Sequence, residues 1–141
     1  MLVRLLYASR PAEQNVCDVV QSILQQSHTH NPQNGITGVL CHTEQVFIQV
    51  LEGGREAVNA LYGHILRDPR HKDVVLLDYE EIQERRYAGW TMGQVNMSRV
   101  NPSILLRYSP LPVLDPHTMS GKMLMALLDE LMATASIVGR I

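Results

Sequence analysis

Tyr7 and Gln49 are the two residues whose types and positions first suggest chemistry. Tyr7 ends the apolar run Leu2–Tyr7, and Gln49 is the polar residue within the run Val46–Leu51. Alternation along strands would bury both side chains, and a buried amide that lacks partners costs about 1–3 kcal/mol per unmet group. We therefore predict a hydrogen bond between Tyr7 and Gln49. This bond would serve a reaction, or it would only satisfy two polar groups in a core.

A second set of polar residues falls at the edges of predicted loops, where proteins usually place ligand contacts. These side chains would suit the polar edge of a small molecule. The alternative is that they cap helices and form turns. The set consists of Asn31, His64, Asp68, Arg70 and His71.

Trp90 and Met92 alternate onto one face of the last predicted strand. Residues of these types serve the core more often than they serve a site, and periodicity does not separate the two roles.

Metal and group-transfer chemistry have little support in the sequence. His28 and His30 could pair on a metal, but no cysteine or carboxylate with ligand spacing follows them. The chain also lacks a phosphate-binding loop and a nucleophile elbow of known pattern. We predict no metal site.

The elements that must position these residues follow from hydrophobic periodicity. An amphipathic helix is predicted from Val16 to near Ser27, and a second one over Glu56–Arg67. Between them, the segment His28–Gly35 is predicted to be a connector, because Pro32 disfavours helical geometry at Asn31. Strands are predicted over Leu2–Tyr7, Ile36–Cys41, Val46–Leu51, Val74–Tyr79 and Gly89–Val95.

The order β-α-β-β-α-β-β predicts an α+β ferredoxin-like sandwich, with a mixed five-stranded sheet and two helices on one face. A helical stretch ending at Tyr108 and a helix over Met119–Ala135 would cover the other face. We predict a domain over residues 1–96 and a helical extension over residues 97–141. The extension has an apolar stripe and is rich in methionine, which suits either a partner or packing against the sheet. Its stripe and methionine residues are Met119, Met123, Leu124, Met125, Leu127, Leu128, Leu131 and Met132.

Composition narrows the function classes. The chain has 141 residues, 45% of them apolar, which fits one compact unit with a sizeable core. A net charge of -2 disfavours general binding of nucleic acid. No apolar run approaches the roughly 18 residues of a membrane span, and the charged start does not fit a signal peptide, so we predict a cytoplasmic protein. The two cysteines, Cys17 and Cys41, exclude a disulfide framework and are predicted to be reduced and buried.

Several blocks, found in order along the chain, resemble the BLUF domain, the family of blue-light receptors that use FAD. The resemblance begins at Leu2–Ser9 and runs to about Val95, roughly two thirds of the chain. Four further blocks carry it: Asn31–Gly38, Val46–Gly53, Arg67–His71 and Gly89–Met92.

The resemblance implies that FAD lies between the two helices, beside the sheet. Tyr7 would be the donor of an electron and a proton to the photoexcited flavin, and Gln49 the amide that bonds both groups and then rearranges. Trp90 and Met92 match the strand whose tryptophan and methionine exchange places. The further cofactor-binding residues would be Ile23, Ser27, His30, Asn31, Phe47, His64, Asp68, Arg70 and His71.

The tail is similar to those of short stand-alone BLUF proteins. This implies a sensor without catalytic turnover that controls a separate partner, such as a cyclic-di-GMP phosphodiesterase or a response-regulator-like protein, and that forms a homo-oligomer. Two rivals share the element order. An RNA-binding module would need exposed aromatic residues and a basic surface, and an acylphosphatase-like enzyme would need an anion-binding loop. The broader alternative is a ferredoxin-like module that binds a ligand without photochemistry.

Overall fold

The computed structural model describes residues 1–12 and 16–134. The order β-α-β-β-α-β-β predicted for the first part of the chain is confirmed, and helices follow it. The elements are β1 (Leu2–Pro11), α1 (Val16–Asn34), β2 (Thr37–His42), β3 (Phe47–Gly54), α2 (Arg55–Arg67), β4 (His71–Ile82), β5 (Gly93–Asn96), α3 (Pro102–Tyr108), a 3-10 turn (Pro116–Thr118) and α4 (Gly121–Thr134).

The strands form a five-stranded sheet in the order β4-β1-β3-β2-β5. Neighbouring strands are antiparallel except β2 and β5, which are parallel, so the sheet is mixed as predicted. This is the ferredoxin-like sandwich. Its central pair, β1 and β3, places Tyr7 directly opposite Gln49.

Strand alternation divides the apolar core into two clusters, one on each face of the sheet. Tyr7, Phe47 and Leu51 lie in the cluster that α1 and α2 cover. Ile48 and Val50 point the other way, into the cluster covered by the C-terminal helices. Alternation along β3, which predicts Phe47, Gln49 and Leu51 on one face and Ile48 and Val50 on the other, is therefore confirmed.

Helix α1 is longer than predicted, and the predicted connector His28–Gly35 is wrong. Asn31 lies in the last turns of the helix, and Pro32 is inside it. The helix ends in a Schellman arrangement, because the amide of Gly35 donates to the carbonyl of Pro32 and the amide of Ile36 to that of Asn31. Gly35 has φ +67°, a left-handed conformation that glycine adopts without strain. Helix α1 therefore continues through Pro32 and ends at Asn34.

Strand β5 is shorter than predicted, so Trp90 and Met92 do not share a strand face. Both precede Gly93, the first residue of β5. Trp90 belongs to the cluster under the C-terminal helices, whereas Met92 belongs to the cluster under α1 and α2. The segment before β5 therefore passes from one face of the sheet to the other, which strand alternation cannot describe.

The predicted packing of the tail on the free sheet face is confirmed. Four α4 residues are almost fully buried there: Leu124, Leu127, Leu128 and Leu131. Met119, Met125 and Met132 also pack on this cluster. Met123 is 45% exposed, so it lies outside the stripe to which its spacing assigned it. Ala135, the predicted end of the helix, lies outside the described residues.

The two cysteines have different environments. Cys41 is buried as predicted, and burial raises the pKa of its thiol to about 12. Cys17 is exposed in the first turn of α1, so its predicted burial is wrong. Residues at i and i+4 of a helix share a face, and the buried face of α1 begins with Val16 and Val20. Cys17 is one position away from that face.

Candidate functional site

A cavity of about 960 Å³ lies between α1, α2 and the sheet. This volume is at the upper end of the range of small-molecule sites. Helix α1 contributes Ile23, Ser27 and Asn31, which are spaced four residues apart and share one face. Helix α2 contributes the small side chains of Ala57 and Ala60, which leave space between the helices.

Gln49 lines the cavity at its sheet wall and is hydrogen-bonded at both ends of its amide. The hydroxyl of Tyr7 donates to Oε1 of Gln49, as predicted. The amide nitrogen of Gln49 donates to Sδ of Met92 at 3.3 Å. Tyr7, Gln49 and Met92 are all buried and form one chain of hydrogen bonds.

The Tyr7 hydroxyl is held in its protonated form. Burial raises its pKa far above the ordinary value, and the nearby Asp68 carboxylate raises it further. The Tyr7 ring has two aromatic neighbours, Tyr62 at 5.7 Å and His71 at 6.1 Å between ring centroids. At neutral pH Tyr7 therefore presents a neutral phenol beside the cavity.

Asn31 carries an unsatisfied donor at the cavity wall. The residue is 3% exposed, and its Nδ2 atom is buried without a hydrogen-bond partner among the described residues. Buried polar atoms are nearly always paired in folded proteins. An orphaned amide donor on the lining of a large cavity therefore points to a ligand with an acceptor there.

Arg70 and Asp68 organise the turn between α2 and β4. The guanidinium of Arg70 forms bidentate bonds to Asp68, and it also donates to Ser22 at 2.8 Å and Gln26 at 2.6 Å on α1. Burial alone would raise the pKa of Asp68, but the hydrogen bonds and charge of Arg70 lower it below its usual value. Arg70 thus connects α1 to this turn along the cavity lining.

His71 lies beside the same turn, at the start of β4. Its Nδ1 atom is 2.8 Å from the hydroxyl oxygen of Ser9, and its ring packs edge-on against Phe47 at 5.3 Å between centroids. Burial lowers the pKa of His71 below the ordinary value, and the nearby Arg70 charge has the same effect, whereas Asp68 opposes it. His71 is therefore a neutral imidazole at pH 7.

The predicted site residues come together in space, with exceptions. Phe47 does not line the cavity but supports His71, and Tyr7 reaches the site through Gln49. Trp90 lies on the opposite face of the sheet. The predicted residues that line the cavity are Ile23, Ser27, His30, Asn31, Gln49, His64, Asp68, Arg70 and His71.

Other lining residues were missed, although helical spacing could have found some of them. Gln26 and Asn34 lie one turn before and after His30, so they share its face of α1. This extension was hidden because α1 was predicted to end near Ser27. Ala57, Ala60 and Leu61 were assigned to the core or passed over, because an alanine that leaves room for a ligand looks like ordinary packing. The remaining missed residues are Ile36, Ile65, Arg67 and Pro69.

Metal binding and membrane insertion find no support in the described part of the chain. It contains no cluster of three or more His, Cys, Asp or Glu side chains that could hold a metal ion. None of its helices is long and apolar enough to cross a bilayer.

Comparison with known proteins gives one consistent family. The BLUF family, described as sensors of blue-light using FAD, matches residues 2–93. A 74-residue stretch is 40% identical to the photoactivated adenylate cyclase subunit beta of Euglena gracilis, covering 52% of this chain but 9% of that protein. The blue light- and temperature-regulated antirepressor BluF of Escherichia coli K12 is 31% identical over 87 residues, which are 62% of this chain and 22% of that protein.

The chain therefore spans about a tenth to a fifth of the length of these curated relatives. A solved structure of similar size agrees over nearly all of both chains. The photo-activated state of BlsA superposes with a TM-score of 0.85 at 31% identity, covering 94% of this chain and 95% of that one. Because the family match ends at residue 93, coverage of 94% of this chain means that the structural similarity extends into the C-terminal helices.

Proposed function

This chain belongs to the BLUF family of blue-light sensors, and from that premise we propose that it holds FAD in the cavity between α1 and α2 and uses Tyr7 and Gln49 as its photochemical pair. The observation that carries the proposal is the hydrogen-bonded chain from Tyr7 through Gln49 to Met92 at the cavity wall. Every other step depends on that arrangement.

The lining fits a flavin. A flavin ring combines an apolar edge with a polar edge rich in acceptors, and the cavity combines Ile23, Leu61 and Ile65 with the free donor of Asn31. We assign the polar edge to Asn31 and Gln49. Three lining residues are exposed and carry basic or donor groups suited to the diphosphate that distinguishes FAD from smaller flavins: His30, His64 and Arg67.

Tyr7 is suited to give up an electron and a proton together. A bound flavin that has absorbed blue light supplies a strong electron acceptor. The high pKa of Tyr7 keeps the phenol neutral beforehand, so electron loss from its ring acidifies a proton that is still in place. That proton points at Oε1 of Gln49, which would carry it toward the electron acceptor. Electron and proton would return to Tyr7 once Gln49 has rearranged, so that the cycle has no net redox change.

Gln49 is suited to hold a changed pattern of hydrogen bonds without moving a charge. Its amide has one accepting end and one donating end, so rotation or tautomerisation exchanges the hydrogen bonds on either side. Rotation would turn Oε1 toward Met92, whose thioether sulfur has no proton to donate. The bond between Gln49 and Met92 is therefore lost in the rotated state, and the environment of the flavin changes. We propose that this state is the red-shifted signalling state.

We propose that the chain itself performs no catalytic turnover and signals through a separate protein. In the described part of the chain, the helices pack on the two faces of the sheet. We assign the contact with the partner to the C-terminal helices. A cyclic-di-GMP phosphodiesterase or a response-regulator-like protein would be suitable partners, with a homo-oligomer as the acting form and the cytoplasm as its location.

The test is the visible absorption spectrum of the purified chain with its flavin, in the dark, directly after blue light and during dark recovery. We expect a small, reversible red shift. Tyr7→Phe and Gln49→Leu should both retain flavin and lose the normal shift, because each removes one end of the central hydrogen bond. A normal shift in either variant would reject the assigned pair. A chain that refuses FAD would favour the ligand-binding module without photochemistry.

A further inference from the structure

The segment between β4 and β5, residues 83–92, is the connection that contacts both faces of the sheet. Its last residue, Met92, bonds to Gln49 in the cluster beside the cavity. Tyr87 and Trp90 lie in the opposite cluster, which α4 covers, and their rings stack at 5.2 Å between centroids. A displacement of Met92 therefore acts on a segment that also packs beneath α4, through Tyr87 and Trp90.

Glu52 fixes this segment at residues 86 and 87. Its carboxylate is fully buried and accepts the backbone amides of Arg86 at 2.9 Å and Tyr87 at 2.7 Å. The guanidinium of Arg4 neutralises the charge, with Nε and Nη2 both 2.8 Å from Oε2. A buried carboxylate that is paired in this way is costly to move. Strand β3 thus carries both the amide that is proposed to rearrange, Gln49, and a rigid anchor three residues later.

Arg86 connects the anchored point to α4. Its backbone amide is bound to Glu52, and its side chain reaches Asp129 of α4, with Nη1 2.7 Å from Oδ1. One residue is therefore held by the sheet through its main chain and by the last described helix through its side chain. Because the two ion-pair side chains are about half exposed, the bond to Asp129 breaks more readily than the bond to Glu52.

We propose that Glu52 is a positioning residue for signal output: it fixes residues 86 and 87, so that loss of the Gln49–Met92 bond turns the segment about this point and changes the hold of Arg86 on α4. Without the anchor, the segment would absorb the displacement of Met92. This inference rests on the proposed rearrangement of Gln49.

Two variants test the proposal in the full flavin-loaded chain. Asp129→Asn weakens the surface link and leaves every group at the cavity in place. Glu52→Gln keeps the shape of the anchor, but its amide cannot accept both backbone amides and pair with Arg4. The control is Glu130→Gln, which also replaces a carboxylate of α4 with an amide, at a position where the carboxylate accepts from Arg107 and Tyr108 of α3 and not from Arg86.

Three signals are read from each sample: the flavin red shift, the emission of Trp90, and hydrogen exchange of α4 in the dark and under blue light. Trp90 is the only tryptophan in the chain, so its emission reports on this segment alone. In the parent chain and in Glu130→Gln, light should increase exchange in α4. Asp129→Asn should keep the red shift and lose most of that increase, and Glu52→Gln should in addition shift the dark emission of Trp90.

The readouts separate the possible failures. A parent chain without a red shift would reject the proposed function and this inference with it. A normal red shift together with a full light response of α4 in both test variants would reject only this inference. A red shift in the parent chain without any response of α4 would also reject it. Loss of the response in Glu130→Gln would show that any altered ion pair on α4 suffices, which overturns the specific role of Arg86.

Discussion

Two polar residues of the cavity lining differ in whether their hydrogen-bond donors already have partners. All three nitrogen atoms of the Arg70 guanidinium already donate hydrogen bonds, to Asp68, Ser22 and Gln26. Asn31 has an amide nitrogen that is buried and unpaired among the described residues. A residue whose nitrogen atoms are already bonded shapes a site, whereas an unsatisfied donor gains a bond only when a ligand binds. At the scale of single residues, we therefore expect Asn31 to contribute more to flavin affinity than Arg70.

Replacing Asn31 with alanine should weaken FAD binding about tenfold, because a hydrogen bond to a buried donor is worth about 1.4 kcal/mol. The measurement is a titration of flavin-free protein with FAD, followed by flavin fluorescence. Asn34→Ala is the matched control. Asn34 also lines the cavity, but its Nδ2 already donates to the carbonyl of His30. Equal affinity of the parent chain and Asn31→Ala would remove Asn31 from the binding site.

At the scale of elements, the sequence predicts structure well where one hydrophobic period runs through a helix or strand. It predicts structure poorly where that period ends or changes. Alternation identified the two faces of β3 and the Tyr7–Gln49 pair, because neighbouring strands impose a fixed register. Helix α1 was cut short at Ser27, because the rule for residues before proline was applied without the end motif at Gly35. Trp90 and Met92 were misplaced for a related reason, since the chain crosses the sheet between them. Gln49 could be singled out because it interrupts an apolar pattern, whereas Ile23, Ser27 and His30 were assigned to the lining only by the family resemblance.

Position 38 in strand β2 has room only for glycine. A Cβ atom on Gly38 would lie 1.9 Å from the carbonyl oxygen of Val50 on β3, which is backbone and cannot swing aside. Gly38→Ala should therefore destabilise the protein by about 2–3 kcal/mol, in the range of overpacked cores. Equilibrium denaturation in urea measures the change.

Gly63 provides a control, since the same substitution there should raise the stability instead of lowering it. It lies inside α2, and a Cβ there would meet only the end of the Arg67 side chain at 3.8 Å. Gly63→Ala should stabilise the protein by about 0.5–1 kcal/mol, because alanine is the better helix former. Equal effects of the two substitutions would contradict the steric account of Gly38.

At the scale of the whole molecule, sensing and output share one sheet. The residues of α4 cover Ile48 and Val50, which alternate along β3 with Gln49. The predicted division at residues 96 and 97 is therefore a proposal about function and not about folding. Removing residues 120–141 would expose the cluster under α4, so the lost output of such a truncation would not identify a role in signalling. Point substitutions such as Asp129→Asn avoid that ambiguity.

The stability of the whole molecule should depend on pH through two buried histidines on the face of the sheet that α1 and α2 cover. His42 and His71 are 6% and 9% exposed, and burial lowers the pKa of each below its ordinary value. Below about pH 6.5 the unfolded chain takes up protons that the folded chain refuses. The free energy of unfolding should therefore fall with pH below this point, by up to about 1.4 kcal/mol per pH unit for each histidine, and stay level above about pH 7.

Urea denaturation at a fixed excess of flavin, between about pH 7.5 and pH 5.5, measures this slope above the range in which most carboxyl groups titrate. His42→Gln should remove about half of the histidine contribution, since His42 lies away from the cavity and His71 is left in place. A flat profile in the parent chain, or one that His42→Gln does not change, would contradict the assignment.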